Sequence, residues 1–265
     1  MRDFTFHRPD SLEQAGKLFD GSDDGRFMAG GQTLIPVMKQ GLSASEDIIE
    51  LGRIEQLKGI TAAGDSLSIG AMATHAAVAA SSPVQSAIPA LAALAGDIGD
   101  PHVRNRGTIG GSIANNDPAA DYPAAVIGLE ADVVTTARTI AADDFFVDLF
   151  ETVLDEGEIV TRVDFRVPVK AAYVKFPNPA SRYALVGVFV SQCADGSVRV
   201  AVTGAGPCVF RAGAFEEALA ANFSPTALDG VTLPADGLNT DIHASAEYRA
   251  HLISVLAKRA VTAAG

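Results

Sequence analysis

Two short segments carry the chemistry this sequence offers most clearly. Ala29-Gly30-Gly31-Gln32-Thr33 and Thr108-Ile109-Gly110-Gly111-Ser112 lie about 80 residues apart, each between a strand-like run and a stretch that reads as helix or compact turn. Adjacent glycines let a backbone approach an anion without an intervening Cβ and permit positive φ, so successive N–H groups can converge on one concavity. Thr33 and Ser112 add hydroxyl donors, and together the segments form a bipartite clamp suited to a diphosphate. Neither matches G-x-G-x-x-G or G-x-x-x-x-G-K-[ST], so a Rossmann or P-loop nucleotide site lacks its motif and a nucleotide held here requires another fold. Taken alone, each glycine pair is more often an ordinary turn than a ligand cradle, and its flanks decide.

The other reactive side chains exclude more than they suggest. His7, His75, His102, His243 and His251 are scattered, and no serine, histidine and acid sit in a nucleophile elbow, so a self-contained hydrolase is poorly supported. Cys193 and Cys208 lack metal-site spacing and read as two reduced thiols; this chain alone cannot build an iron–sulfur cluster. Asp117 and Asp121 flank Pro118-Ala119-Ala120, where they either meet a ligand or start a turn and cap the following helix. Arg104 and Arg106 read as a solvated pair or as neighbours of a ligand or partner. His75, behind Thr74 at a helix start, reads as a packed residue rather than an attachment point. With 32 acidic and 20 basic residues the net charge is -12, which argues against nucleic-acid binding. No apolar run reaches membrane-spanning length, and Met1-Arg2-Asp3-Phe4 lacks the apolar core of a signal peptide, so a cytoplasmic protein is expected.

The elements that must position these loops follow from periodicity and punctuation. Phe4-Thr5-Phe6 alternates as a strand, Ser11 to Gln14 forms a capping box for a helix through Phe19, and Arg26-Phe27-Met28 is a strand entering the first glycine loop. A short helix over 34–40, closed by Gly41, and a strand over 47–51 complete an α/β unit. A second unit runs from a strand at 67–71 through a helix after Thr74, one alanine-rich helix over 83–95, the second glycine loop, a helix over 122–129, and strands at 131–136 and 159–167. Beyond Pro168, strands at 183–192 and 197–203 around Ala194-Asp195-Gly196 form an antiparallel hairpin. Helices at 211–221 and 245–261 follow, the last with Leu252, Ile253, Leu256 and Ala260 on one face to pack on that sheet. Residues 223–241 read as a loop. At 265 residues, 48% of them hydrophobic, the chain is long enough for two cored domains.

The flanks of the glycine pairs carry a resemblance. Arg104-Asn105-Arg106-Gly107 leads into Thr108 to Ser112 and on through Asn115-Asn116-Asp117-Pro118-Ala119-Ala120-Asp121-Tyr122-Pro123, while Ala29 to Thr33 continues as Leu34-Ile35-Pro36. With Ile69-Gly70-Ala71-Met72-Ala73-Thr74-His75 and the tail around Tyr248-Arg249, this resembles the FAD-binding (medium) subunit of the molybdenum hydroxylases, of carbon monoxide dehydrogenase and xanthine dehydrogenase type, over most of the chain. The resemblance implies an α/β and α+β fold. A two-lobed FAD-binding domain of the vanillyl-alcohol oxidase (PCMH) type occupies residues 1–168, with lobes of about 1–57 and 58–168. A small C-terminal domain at 169–265 follows, with an antiparallel sheet and helices.

It also implies that Ala29, Gly30, Gly31, Gln32, Thr33 and Leu34, with Thr108, Ile109, Gly110, Gly111, Ser112 and Asn115, hold FAD at its diphosphate. Asp117 belongs to the same site, and Asp121 is placed at a ribose or adenosine hydroxyl. Lys175 or Arg182 lies near the flavin pyrimidine edge, although Phe176-Pro177-Asn178-Pro179 departs from the family pattern there. The implied partners are a large molybdopterin subunit and a small subunit with [2Fe-2S] clusters, in a dimer of heterotrimers. FAD collects their electrons and passes them to an external acceptor. The alternatives are a free-standing FAD-dependent oxidoreductase and a non-catalytic nucleotide-binding module.

Overall fold

A computed structural model describes residues 3–265; Met1 and Arg2, on which part of the N-terminal reading rests, lie outside the described residues. The first lobe is built from β1 (Thr5–His7), α1 (Leu12–Asp20), β2 (Gly25–Met28), α2 (Leu34–Lys39) and β3 (Asp47–Glu50). Its three strands pair parallel in the order β1-β3-β2. The capping signal holds: Ser11 Oγ accepts from the Gln14 amide at 3.2 Å, and the Gln14 side chain reaches back to the Asp10 amide at 3.0 Å. Parallel pairing requires crossovers, and it sends β2 straight into the first glycine loop.

The second lobe contains β4 (Ile60–Ala63), β5 (Ser66–Gly70), α3 (His75–Ala80), α4 (Ser82–Ala87), α5 (Pro89–Gly96), α6 (Pro101–Arg104), α7 (Ile109–Asn115) and α8 (Tyr122–Gly128). It continues with β6 (Asp132–Thr135), β7 (Thr139–Ala141), α9 (Ala142–Phe145), the hairpin β8 (Phe146–Asp148) and β9 (Glu151–Thr152), and β10 (Val160–Arg166). Its antiparallel sheet runs β4-β5-β10-β6-β7. The single helix expected over 83–95 is two helices. Pro89 pushes Ile88 out of the helical region, to φ -139 and ψ 76, and each piece takes its proline in the first turn. The second glycine loop is also not a loop: Thr108 is the N-cap of α7, its Oγ1 accepting from the Gly111 amide, and Gly110-Gly111 form the first turn. A short helix, not a strand, precedes it.

The C-terminal portion holds β11 (Lys170–Pro177), β12 (Ala184–Gln192), β13 (Val198–Thr203), β14 (Phe210–Arg211), α10 (Gly213–Ala221) and α11 (Ala246–Ala264), with the four strands antiparallel in sequence order. The hairpin expected around Ala194-Asp195-Gly196 joins β12 to β13, while β11 has no counterpart in the sequence reading. Residues 184–191 of β12 are buried without interruption, because the sheet is covered on both faces. One face carries Val186, Val188, Val190, Val200 and Val202 against α10 and α11, with Leu252, Ile253, Leu256 and Ala260 buried there as expected. The other presents Phe189 and Ala201 to α8 and shares the second lobe's core. Residues 223–241 are largely irregular, with one 3-10 turn at Pro225–Leu228. Among the described residues, no helix is long and apolar enough to cross a membrane.

Candidate functional site

A cleft of about 670 Å³ runs between the two glycine segments and is walled as well by residues 180–183 of the connection between β11 and β12. It is lined by Ala29 through Leu34, Thr108, Gly110, Gly111, Ser112, Asn115, Asp117 and Asp121. Of the residues expected in the site, Ile109 and Lys175 do not line it: Ile109 is fully buried in the second lobe's core, and Lys175 sits behind the wall.

The two glycine segments do different work. In the first, Gly31 has φ 71, the left-handed region that favours glycine, and the amides of Gly30, Gly31, Gln32 and Thr33 donate to no protein acceptor among the described residues. Thr33 makes no side-chain capping bond at the start of α2, so its hydroxyl is free as well. A run of unpaired donors beside a helix start has the chemistry to receive an anion. The second segment departs from expectation, because its amides are already engaged. Ile109 donates to the Ala73 carbonyl (3.1 Å), Gly110 to the Ala71 carbonyl (2.9 Å) and Ser112 to the Thr108 carbonyl (3.0 Å), while Gly111 is held by the cap. Its glycines serve close packing. A Cβ on Gly30 would lie 2.0 Å from the Arg106 carbonyl oxygen, and one on Gly111 would lie 3.1 Å from Ala29 Cβ. The missing side chains let the segments close on each other. The second contributes shape and the Ser112 hydroxyl, the first most of the donors.

Beside this clamp is a buried acid. Asp121 is 4% exposed, and its Oδ1 accepts from the Tyr173 hydroxyl at 2.6 Å and lies 3.1 Å from Lys175 Nζ. Lys175 also donates to the Asp97 carbonyl at 2.9 Å and lies 3.3 Å from Asp97 Oδ2. Burial pushes the Asp121 carboxyl up to about 6, against the opposing pull of Lys175 and Tyr173. Lys175 is thus committed to Asp121 and does not stand free at a separate edge of the cleft. Asp117 is half-buried; its Oδ1 accepts from the Ala119 amide at 2.9 Å in the turn foreseen from the sequence, and burial raises its pKa.

Other groups on the cleft wall escaped the sequence reading. Asp100 and Tyr183 line it, beside Arg182, the alternative to Lys175 that the resemblance offered, which sits in the left-handed region at φ 64. Arg182 Nη1 reaches the Gly99 carbonyl at 3.4 Å, and amide bonds from Val103 and His102 help hold the Asp100 carboxyl below its usual range. Asn178 Oδ1 shapes this segment by accepting from the amides of Ala180 and Ser181. The signal was an Asn-Pro turn joining two strands, of which only the second was visible in the sequence. His75 is 5% exposed and pushed down to about 4, by burial first and Arg104 second, so at neutral pH it is an uncharged packed ring 5.3 Å from Tyr122. Arg104 donates to the carbonyls of Ile98 and Gly99, which is a structural role, while Arg106 is exposed. No cluster of histidine, cysteine and acid suited to a metal occurs among the described residues.

Comparison with known proteins bears on what occupies the cleft. Residues 2–170 match the model of a family described as the FAD-binding domain in molybdopterin dehydrogenase. The chain is 34% identical to the carbon monoxide dehydrogenase medium chain of Hydrogenophaga pseudoflava, over 98% of this chain and 96% of that one. It is 36% identical to the nicotine 6-hydroxylase medium subunit of Paenarthrobacter nicotinovorans, over 97% and 95%. Among solved structures, carbon monoxide dehydrogenase from Hydrogenophaga pseudoflava lacking the Mo-pyranopterin moiety of its molybdenum cofactor superposes with a TM-score of 0.87. That match is at 33% identity, covering 99% of this chain and 97% of that one.

Proposed function

Since this chain belongs to the FAD-binding medium subunits of the molybdenum hydroxylases, and is thereby an oxidoreductase subunit that binds FAD, we propose that it is the electron-output module of its complex. In this reading it takes electrons from [2Fe-2S] centres of a small partner chain, fed by a molybdopterin site on a large one, and passes them to an external acceptor. The bound flavin supplies the redox chemistry, and the protein holds it and controls access. The observation that carries the reading is the run of free amides from Gly30 to Thr33 facing the cleft. These donors and the Thr33 and Ser112 hydroxyls would receive the diphosphate, with Ala29, Leu34, Thr108, Ile109, Gly110, Gly111 and Asn115 shaping their surroundings. Asp117 and Asp121 would accept from sugar hydroxyls. Lys175 would act on the cofactor through Asp121, leaving Arg182 nearer the opening.

The FAD-binding domain would span residues 1–168, in lobes of about 1–57 and 58–168, and the C-terminal domain 169–265. We place the assembly, a dimer of heterotrimers, in the cytoplasm. The deciding experiment is purification of the chain alone. It should emerge yellow, with flavin that acid precipitation releases into the supernatant. A colourless protein with no affinity for added FAD would overturn the assignment of the cleft. Turnover of an organic substrate by this chain without iron or molybdenum would instead make it a free-standing flavoenzyme.

A further inference from the structure

The β8–β9 hairpin is built to hold an apolar tip in solvent. Val147, Leu149 and Phe150 are 52%, 53% and 58% exposed within four consecutive positions, whereas Leu42, Val169 and Ile242 stand singly. Phe150 has φ 55, a backbone region that a bulky residue adopts rarely. A hairpin that needed only to turn would place glycine or asparagine there. The conformation is enforced from below by Asn116, fully buried and itself left-handed at φ 43. Its Nδ2 donates to the carbonyls of Asp148 and Glu151, both at 2.8 Å, and its own carbonyl accepts from the Phe150 amide at 3.2 Å. Two left-handed residues and a buried amide therefore keep three apolar side chains out of the core.

The rim of this tip is acidic. Asp144, Asp148 and Glu151 are exposed and take part in no ion pair among the described residues, in contrast to Asp143, which meets Arg199 at 2.7 Å. A second copy of this chain would bring the same acids to the contact, on a molecule already at -12, and like charges would oppose it. Val147, Leu149 and Phe150 are exposed and line no part of the cleft, as suits a tip that enters a pocket rather than forms one. The hairpin also adjoins the cleft: Asn115, next to its anchor, and Leu154, just beyond β9, both line the cleft wall.

We propose that the β8–β9 hairpin docks into a different chain of the complex, at an apolar pocket rimmed by lysine and arginine. The proposal rests on the subunit reading above. The test uses the tagged full-length chain expressed in its native host, with a benzoylphenylalanine photo-crosslinker at Leu149 or, as a control, at Leu42. In the iron- and molybdenum-containing complex, the Leu149 probe should crosslink to a non-identical chain, at a peptide bearing lysine or arginine, and the Leu42 probe should not. Crosslinking to a second copy of this chain, or none from an assembled complex, overturns the proposal. Independently, the combined variant Val147→Ser, Leu149→Ser, Phe150→Gly should keep the parent's FAD content and melting temperature but recover at least tenfold less partner, and Asp148→Lys with Glu151→Lys should weaken recovery in the same direction. Full recovery by either variant also overturns it. A parent chain that binds FAD but co-purifies with no other chain sinks the subunit reading itself, whereas parent-like recovery by the variants sinks only the hairpin.

Discussion

At the scale of single residues, two buried titrations oppose each other. Asp121 is pushed up to about 6, so its contribution to stability is fully present below the carboxylate's unfolded value near 3.8 and is lost as pH rises through about 6. His75 is pushed down to about 4, so its contribution is present above its unfolded value near 6.5 and is lost as pH falls through about 4. The windows overlap and the signs are opposite, so the parent's stability should change little between pH 4 and 6.5 from these two groups. Removing one unmasks the other. The melting-temperature advantage of the parent over Asp121→Asn should shrink as pH is raised from about 5 to about 7; a difference that is constant with pH would remove Asp121 from this role. The same substitution should weaken FAD binding by about 1–2 kcal/mol, because one acceptor is replaced by a weaker one, and leave reoxidation of the loaded protein nearly unchanged in stopped flow. A slowing of a hundredfold or more would force a chemical role. For Lys175→Met the expectation is larger. It strands a buried carboxylate and should cost about 3–5 kcal/mol in urea unfolding, part of which Lys175→Met combined with Asp121→Asn should restore. Additive losses in the double variant would show that the two groups act separately.

At the scale of elements, the clamp depends on two glycine segments touching. Gly111→Val would drive a branched side chain into Ala29, already 3.1 Å from a single added carbon, and should weaken FAD binding by about 2–3 kcal/mol, or about 30- to 150-fold. Fluorescence titration of a variant whose circular dichroism matches the parent checks this. Parent-like affinity would mean the second segment does not shape the diphosphate site. Much of this arrangement was legible in the sequence, because glycine pairs, caps and amphipathic periodicity are local signals. Gly30-Gly31 and Gly110-Gly111 were visible as pairs, and the capped start of α1 and the buried face of α11 could be read directly. What escaped depends on partners distant in sequence. Lys170–Pro177 is rich in alanine and lysine and becomes a strand only because β12 pairs with it along its length. The engaged amides of α7 are set by carbonyls at Ala71 and Ala73, and the pairing of Lys175 with Asp121 spans a contact that no spacing rule reports.

At the scale of the whole molecule, the chain should not act alone. An affinity-tagged copy from its native host should bring down a small cysteine-rich chain and a much larger one, with iron and molybdenum in the eluate, while the isolated chain binds FAD yet hydroxylates no heteroaromatic, aldehyde or carbon monoxide substrate. Recovery of the tagged chain free of iron and molybdenum would argue against the assembly. The order in which the molecule is made matters as well. The glycine segments end at Ser112, but the wall that completes the cleft includes Arg182 and Tyr183, and the lysine that holds Asp121 is residue 175. Its supporting sheet is covered on one side by α11, which ends at Ala264. A ribosome-bound chain that has exposed both glycine segments therefore still lacks a finished cleft. Cofactor capture should wait until the segment that forms α11 has emerged, and a chain truncated before Ala246 should accumulate as apoprotein however much FAD the cell contains.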